Sequence, residues 1–330
     1  MASTLYPLKF RTLFKDKIWG GQKIRTVLGK DFGDLPNCGE TWEISGVQDN
    51  LSVVREGEMA GCDLASMIDH YRERLVGGGV FERFGFQFPL LVKFIDANDD
   101  LSIQVHPGDE LARQRHNSFG KTEMWYVFQA DAGARLQIGF NRPLGKEEYL
   151  EYFHHKKLMD ILNFVEVQRD DVFFLPAGRV HSIGKGCLLA EIQQSSDVTY
   201  RIYDFDRIDS SGRPRALHTE QALEAIDFTY YRDFKTHYPD RTDQAVELVR
   251  CEYFTTNRIA SDRPQNRDYS TLDSFVIYVC MEGGFEIEYA GGKTAVQMGE
   301  AVLLPAEIEQ VRLNPAPDFK ILESYIGGRK

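Results

Sequence analysis

No two of the five cysteines lie close together: Cys38, Cys62, Cys187, Cys251 and Cys280 are odd in number, scattered, and form no CxxC pair. Free thiols in a reducing compartment suit that pattern better than a disulfide framework. Long apolar runs are also missing. No stretch approaches the length of a membrane span, and the opening MASTLYPLKFRTLFKDKIWGG has no apolar h-region. A cytoplasmic protein without membrane contact is therefore expected. Excess positive charge is the third absence. A formal charge of -11 argues against a general binder of nucleic acid or acidic membrane, because phosphate affinity comes from clustered Lys and Arg. A small phosphorylated ligand needs only a local basic pocket and stays open.

What is present is ordinary for a globular chain: 42% hydrophobic and 27% charged residues over a length of 330. That length holds one large core or two ordinary ones. Short strands between glycine-rich turns are expected over 5–60. Asp63 reads as the N-cap of a helix whose Leu64, Met67, Ile68, Tyr71 and Leu75 fall at helical spacing, ended by Gly77, Gly78 and Gly79. A short helix is expected after Pro107, with acidic residues in its first turn. The segment 146–165 has helical periodicity. His154 and His155 within it point in different directions and read as exposed residues.

The chemistry concentrates in LSIQVHPGDELARQRHNSFGKTEMWY, from Leu101 to Tyr126. Gln104 and His106 are two apart in an apolar strand-like run, so both side chains share one face. Pro107 keeps His106 extended. Lys121, Glu123 and Trp125 repeat that spacing on a second strand. If the two strands pair, an imidazole, an amide oxygen and a carboxylate meet at one point beside an ammonium. Further on, Asp171, Pro176, Gly178 and His181 form a strand, a tight turn and a histidine entering a new strand. Taken singly, each residue has a plainer reading: a turn histidine as a structural residue, Glu123 with Lys121 as a surface ion pair. Together, Gln104, His106, Glu123 and His181 make a nitrogen and oxygen donor set suited to Zn, Mn, Fe or Ni.

From Ala245 onward the chain is mostly short strands, and 212–245 reads as a connector. The stretch MGEAVLLPAEIEQV (298–311) repeats the pattern of DDVFFLPAGRVH around its proline. Gln310 follows Pro305 by the same interval that separates His181 from Pro176. A repeated β module with ligands only in its first copy suggests two related barrels. The division expected is a metal-binding domain over 1–240 and a degenerate, structural barrel over 241–330.

QVHPGDELA, GKTEMWYV, PAGRVHSIG and EIQQSSDVTYRIYDFDR resemble the signature segments of type I phosphomannose isomerases, as do IWGG near Trp19, GETWEIS around Trp42 and LSIQVHP. The likeness is densest over 7–210 and is to the short bacterial form of these cupin-fold zinc enzymes. It implies a mainly β fold of two cupin-type jelly-roll barrels with a small helical segment. It implies one Zn2+ per chain held by Gln104, His106, Glu123 and His181. By the same likeness Arg201 and Lys121 are the catalytic residues, and Ser102, Asp197, Lys121 and Arg201 the substrate-binding ones. Where some longer relatives carry a histidine directly before that lysine, this chain has Gly120, so no base role transfers there. The helical insertion of long forms is reduced to about 146–165.

The implied activity is interconversion of mannose 6-phosphate and fructose 6-phosphate through an enediol-type intermediate. A bound cation stabilises the developing oxyanion in such chemistry. Arg201 offers a planar fork for phosphate or enediolate oxygens, against a plainer pairing with Asp204 or Asp206. Lys121, Glu191 and a metal-bound water are the candidate proton carriers. Two other classes fit part of the pattern: a metal-dependent cupin oxygenase and a non-catalytic sugar-phosphate-binding protein. An oxygenase needs no Arg and Lys for phosphate, and a retired binder would have lost them. A hexose 6-phosphate is thus the expected partner, and a monomer or weak homodimer the expected assembly.

Overall fold

The computed structural model describes residues 4–208 and 212–327. Three antiparallel sheets carry the architecture, and the fold is mainly β as expected. A six-stranded sheet runs Leu13–Lys15, Glu40–Ser45, Leu90–Ala97, Cys187–Gln194, Glu123–Ala130, Val172–Leu175. Facing it, a five-stranded sheet runs Tyr200–Tyr203, Ile103–Val105, His181–Ile183, Arg135–Phe140, Leu162–Glu166. Between the two lies a core of Ile95, Trp125, Val127, Leu136, Ile138, Ile183 and Leu189. Two sheets packed face to face in this way make the cupin-like sandwich.

The central strands are buried on both faces, which explains their nearly unbroken apolar sequence. Leu90, Val92 and Phe94 join a second core with the helix Leu64–Tyr71 and with strands of the C-terminal sheet, among them Ile277, Val279, Leu303 and Leu322. That C-terminal sheet has seven strands, all between Ala245 and Tyr325. Its long members Val276–Tyr289 and Gln310–Tyr325 pair along most of their length. The N-terminal segment also reaches it, since Leu8 and Leu303 exchange backbone hydrogen bonds of 2.8 and 2.9 Å. The two halves therefore share one hydrophobic core.

Several local expectations hold. Asp63 caps the helix Leu64–Tyr71 by accepting from Ser66 N at 2.9 Å. The helix Asp109–His116 follows Pro107 and carries Asp109 and Glu110 in its first turn. His154 and His155 are exposed. The strand Ala301–Leu304 with its proline turn matches Val172–Leu175 with its own.

Three expectations need correction. The strands bearing Gln104 and Glu123 do not pair; they belong to opposite sheets and face each other across the sandwich. Helix ends at His154, and Leu162–Glu166 is a strand, because pairing with Arg135–Phe140 overrides the local periodicity. Finally, the expected helix breaks first at Arg72 (φ 47°), so that Leu75 lies in a second helix, Glu73–Val76; of the three glycines only Gly77 (φ 95°) interrupts, while Gly78 and Gly79 start a further helix, Gly78–Phe84. Their N–H groups donate to the Asp273 carboxylate, both at 2.7 Å.

Candidate metal centre

Strand alternation decides which polar groups meet. On Glu123–Ala130, Met124, Tyr126 and Phe128 enter one core while Trp125 and Val127 enter the sandwich, so Glu123 also faces inward. The same parity turns Glu191 inward beside Leu189, and Lys93 inward beside Ile95. Register sets Glu191 opposite Lys93 on one neighbouring strand and opposite Trp125 on the other. From the facing sheet, Gln104 sits between Arg201 and His181. His106 lies just past its strand, and its carbonyl accepts from Gly178 N at 2.9 Å. Gly178 (φ 91°) has no room for a side chain, since a Cβ there would lie 2.9 Å from Ala225 O. The Pro–Gly turn is thereby locked against His106, and His181 is delivered to the same spot.

His106, Glu123 and His181 are all buried, and their ligand atoms lie within 4.8 Å of one another. His181 Nε2 is 3.3 Å and His106 Nε2 3.7 Å from the Glu123 carboxylate. Gln104 Nε2, as drawn, is 3.3 Å from His181 Nε2, which a flip of the amide turns into an oxygen beside the group. Each ring's Nδ1 faces a backbone carbonyl at 2.8 Å, Val198 O for His106 and Arg179 O for His181. Those contacts require protonated Nδ1, which leaves both Nε2 atoms as acceptors: that of His181 faces the carboxylate, and that of His106 lies between the carboxylate and the Lys121 ammonium at 3.1 Å. Neither Glu123 oxygen has a well-directed hydrogen-bond donor. Three buried acceptors converge here with the Lys121 ammonium on one side of them, a donor set that fits a cation.

Lys121 is no surface ion pair. It is buried, 2.8 Å from Glu123 Oε2, 3.1 Å from His106 Nε2 and 3.9 Å from Glu191 Oε1. Burial pushes the Glu123 carboxyl up to about 7, against the pull of Lys121. Burial pushes His181 down to about 3, aided by Lys121, and lowers His106 as well. Both imidazoles are therefore neutral, as metal ligation requires. Burial alone would raise Glu191, but Lys121 and Lys93 outweigh it and hold the carboxyl at about 2.

A cavity of about 350 Å³ opens over this cluster, within the size range of small-molecule sites. Ser102, Gln104, Lys121, Asp197 and Arg201 all border it. Ser102 is buried with Oγ 3.4 Å from Gln104 Oε1, while Asp197 is exposed at the rim. Arg201 does not pair with Asp204, whose carboxylate is taken by Arg207 and Arg215. Its terminal nitrogen donates to Ala216 O at 2.9 Å, and its buried Nε has no partner among the described residues. Burial and the nearby Arg215 both lower its pKa, the mark of a cation short of an anion.

Sequence reasoning missed Lys17, Glu40, Trp42, Lys93 and Arg215 as cavity walls. A signal existed for Lys93: it is the one lysine in a fully buried strand whose other residues, Asp96 apart, are apolar. Glu40 and Trp42 share a face by period two, and Glu40 accepts from Trp42 Nε1 at 2.8 Å. Gly120 has a structural reason. A Cβ there would stand 2.6 Å from Asp109 N, so the position admits no histidine unless the backbone at 108–109 moves.

The family profile for phosphomannose isomerase type I, catalytic domain, matches residues 7–126. The chain is similar to mannose-6-phosphate isomerase ManA of Bacillus subtilis, 38% identical over 261 residues, which span 77% of this chain and 79% of that protein. It is also similar to the mannose-6-phosphate isomerase of Streptococcus mutans, 42% identical over 223 residues, 67% of each chain. Among solved structures, the mannose 6-phosphate isomerase from Bacillus subtilis superposes with a TM-score of 0.87 at 29% identity, covering 97% of this chain and 99% of that one. This chain belongs to the type I phosphomannose isomerase family.

Proposed function

We propose that the protein interconverts mannose 6-phosphate and fructose 6-phosphate, with one Zn2+ held by Gln104, His106, Glu123 and His181. The observation that carries this reading is the donor-starved carboxylate between two oriented imidazoles, at the floor of a cavity lined by five cationic and only three carboxylate side chains. Bound there, the metal supplies Lewis acidity toward the O1/O2 end of the open-chain sugar. Mixed nitrogen and oxygen donors without sulfur suit zinc.

The chain's own residues do the rest. Lys121 stands beside the reacting end as a buried donor for the oxygen that gains charge. Arg201, with an unspent Nε, takes the phosphate through its planar fork. Ser102 and Asp197 hold hydroxyls of the substrate, Ser102 from beside Gln104 and Asp197 from the rim. Proton transfer between C1 and C2 falls to Lys121 or Glu191, the two titratable groups that border both the cluster and the cavity. Loss of solvent exchange at C2 in Lys121→Met but not in Glu191→Gln, or the reverse, decides between them.

The division into 1–240 and 241–330 is the matching domain proposal, the second part serving as a structural barrel. Five unpaired cysteines support a reducing, cytoplasmic location. No helix among the described residues is long and apolar enough to cross a membrane. A monomer or weak homodimer is expected and is read by light scattering. The decisive assay is mannose 6-phosphate turnover before and after chelation, with metal content of His181→Ala and Glu123→Gln. Both variants are expected to lose zinc and turnover together. Retained zinc with near-normal rate would sink the ligand assignment. Arg201→Ala is expected to lose turnover while keeping its metal.

A further inference from the structure

Adjoining the cavity over the metal centre at Asp197 is a larger one, about 800 Å³, lined otherwise by residues to which the isomerase chemistry gives no part. The segment 195–198 lines it. Asp197 lines both, and the next residue, Val198, holds His106 through its carbonyl at 2.8 Å. The groove is lined by polar side chains that are exposed at its surface. The side chains of Gln48, Asp49, Gln87 and Arg113 have no partner among the described residues. Ser195 Oγ is buried in its wall without a hydrogen bond. Beside them Phe86 is 53% exposed, its ring meeting only Phe81 edge-on at 5.6 Å.

Charge narrows the ligand class. Asp49, Asp109 and Asp197 line the groove against Arg113, while the His116 ring is engaged by the Tyr200 hydroxyl at 2.9 Å. A sugar phosphate would meet excess negative charge here, the opposite of the cavity over the metal centre. A neutral polyhydroxylated ring fits. Its hydroxyls need acceptors and donors in equal measure, which carboxylates, amides and a serine supply. Its C–H face needs an apolar platform, which an exposed phenylalanine supplies.

We propose that this groove is a binding site for neutral saccharides that adjoins the cavity over the metal centre at Asp197 and is otherwise lined by different residues. Saturation-transfer NMR on the intact protein tests this, with D-mannose and maltose as probes. Transfer to at least one probe is expected, and is expected to persist with excess mannose 6-phosphate present. Phe86→Ser and Gln87→Ala should each weaken it about tenfold, the effect of losing one well-made contact. Turnover of mannose 6-phosphate is read in the same variants and is expected to be unchanged, so failure of the isomerase reading would be seen separately. No transfer to either probe, displacement by mannose 6-phosphate, or full binding in both variants would each overturn the proposal.

Discussion

Replacing Lys93 with methionine exposes how the cavity floor is held. Lys93 Nζ is 3.0 Å from Glu191 Oε1, with both side chains nearly solvent-free. At an effective dielectric of about 20, unit charges that far apart attract by about 5 kcal/mol, and Lys121 at 3.9 Å contributes about 4 kcal/mol more. Desolvation offsets most of both. Burial alone would lower the Lys93 pKa, but Glu191 and Glu40 outweigh it and hold the ammonium charged. Methionine keeps the apolar stem and removes the charge. Glu191 then retains one ammonium and the Trp125 indole N–H at 2.8 Å. Breaking such a buried pair from one side costs about 3–5 kcal/mol. Adding Glu191→Gln to Lys93→Met removes the orphaned charge, so the double variant should regain about 2 kcal/mol over the sum of the singles. Urea unfolding of the four proteins measures the cycle. A single-variant cost below about 1 kcal/mol, or additivity within about 0.5 kcal/mol, would refute the reasoning.

Other perturbations have equally definite outcomes. Gly120→Ala should lower Tm, because its Cβ meets backbone at 2.6 Å; an unchanged melt would show that 108–109 yields freely. Asp204 is clamped by Arg207 and Arg215, and although burial raises its pKa the two arginines lower it further than that. A depressed carboxylate contributes stability above its unfolded pKa and loses it as pH falls through the folded one, so Asp204→Asn should flatten acid unfolding below about pH 4. Thiol titration under native conditions should find one fast cysteine, Cys62, which is exposed. Burial pushes Cys38 up to about 11 and Cys187 and Cys280 up to about 12, so rapid labelling of any of these three would contradict the packing.

The buried cluster was legible in part because several of its members obey period two at or just beyond the ends of short strands. Gln104 with His106, and Lys121 with Glu123, declare a common face before any tertiary contact is known. How those faces meet was not legible. The Ile103–Val105 strand pairs with Tyr200–Tyr203 and His181–Ile183, far along the chain, and nothing local marks that it opposes Glu123 rather than hydrogen-bonding to it. Leu162–Glu166 failed for the same reason, since a non-local partner overrode a helical pattern continuing from the preceding segment. Lys93 was hidden by its company. In LLVKFIDA six apolar neighbours say buried strand, and only the strand's parity says that its one ammonium points into the cavity.

The C-terminal sheet supplies a contrast between a ligand site and a structural one. It too buries a carboxylate, Glu323, fully excluded from solvent. Arg267 reaches both of its oxygens at 2.8 to 3.0 Å, Asn257 donates at 2.8 Å and the Tyr269 hydroxyl at 2.5 Å. Every lone pair has a protein donor, so nothing is left for a ligand to satisfy. Gln310, standing where the first copy has His181, is exposed. Glu123 is equally buried, yet faces two imidazole lone pairs and lacks a directed donor. The two carboxylates are not equivalent in register: Glu323 stands opposite Tyr278 as Glu191 stands opposite Trp125, and Val276 takes the place of Glu123. Glu323, saturated by neutral and guanidinium donors, ties strands together; Glu123, among two imidazoles and one ammonium, is the carboxylate placed to help hold a cation.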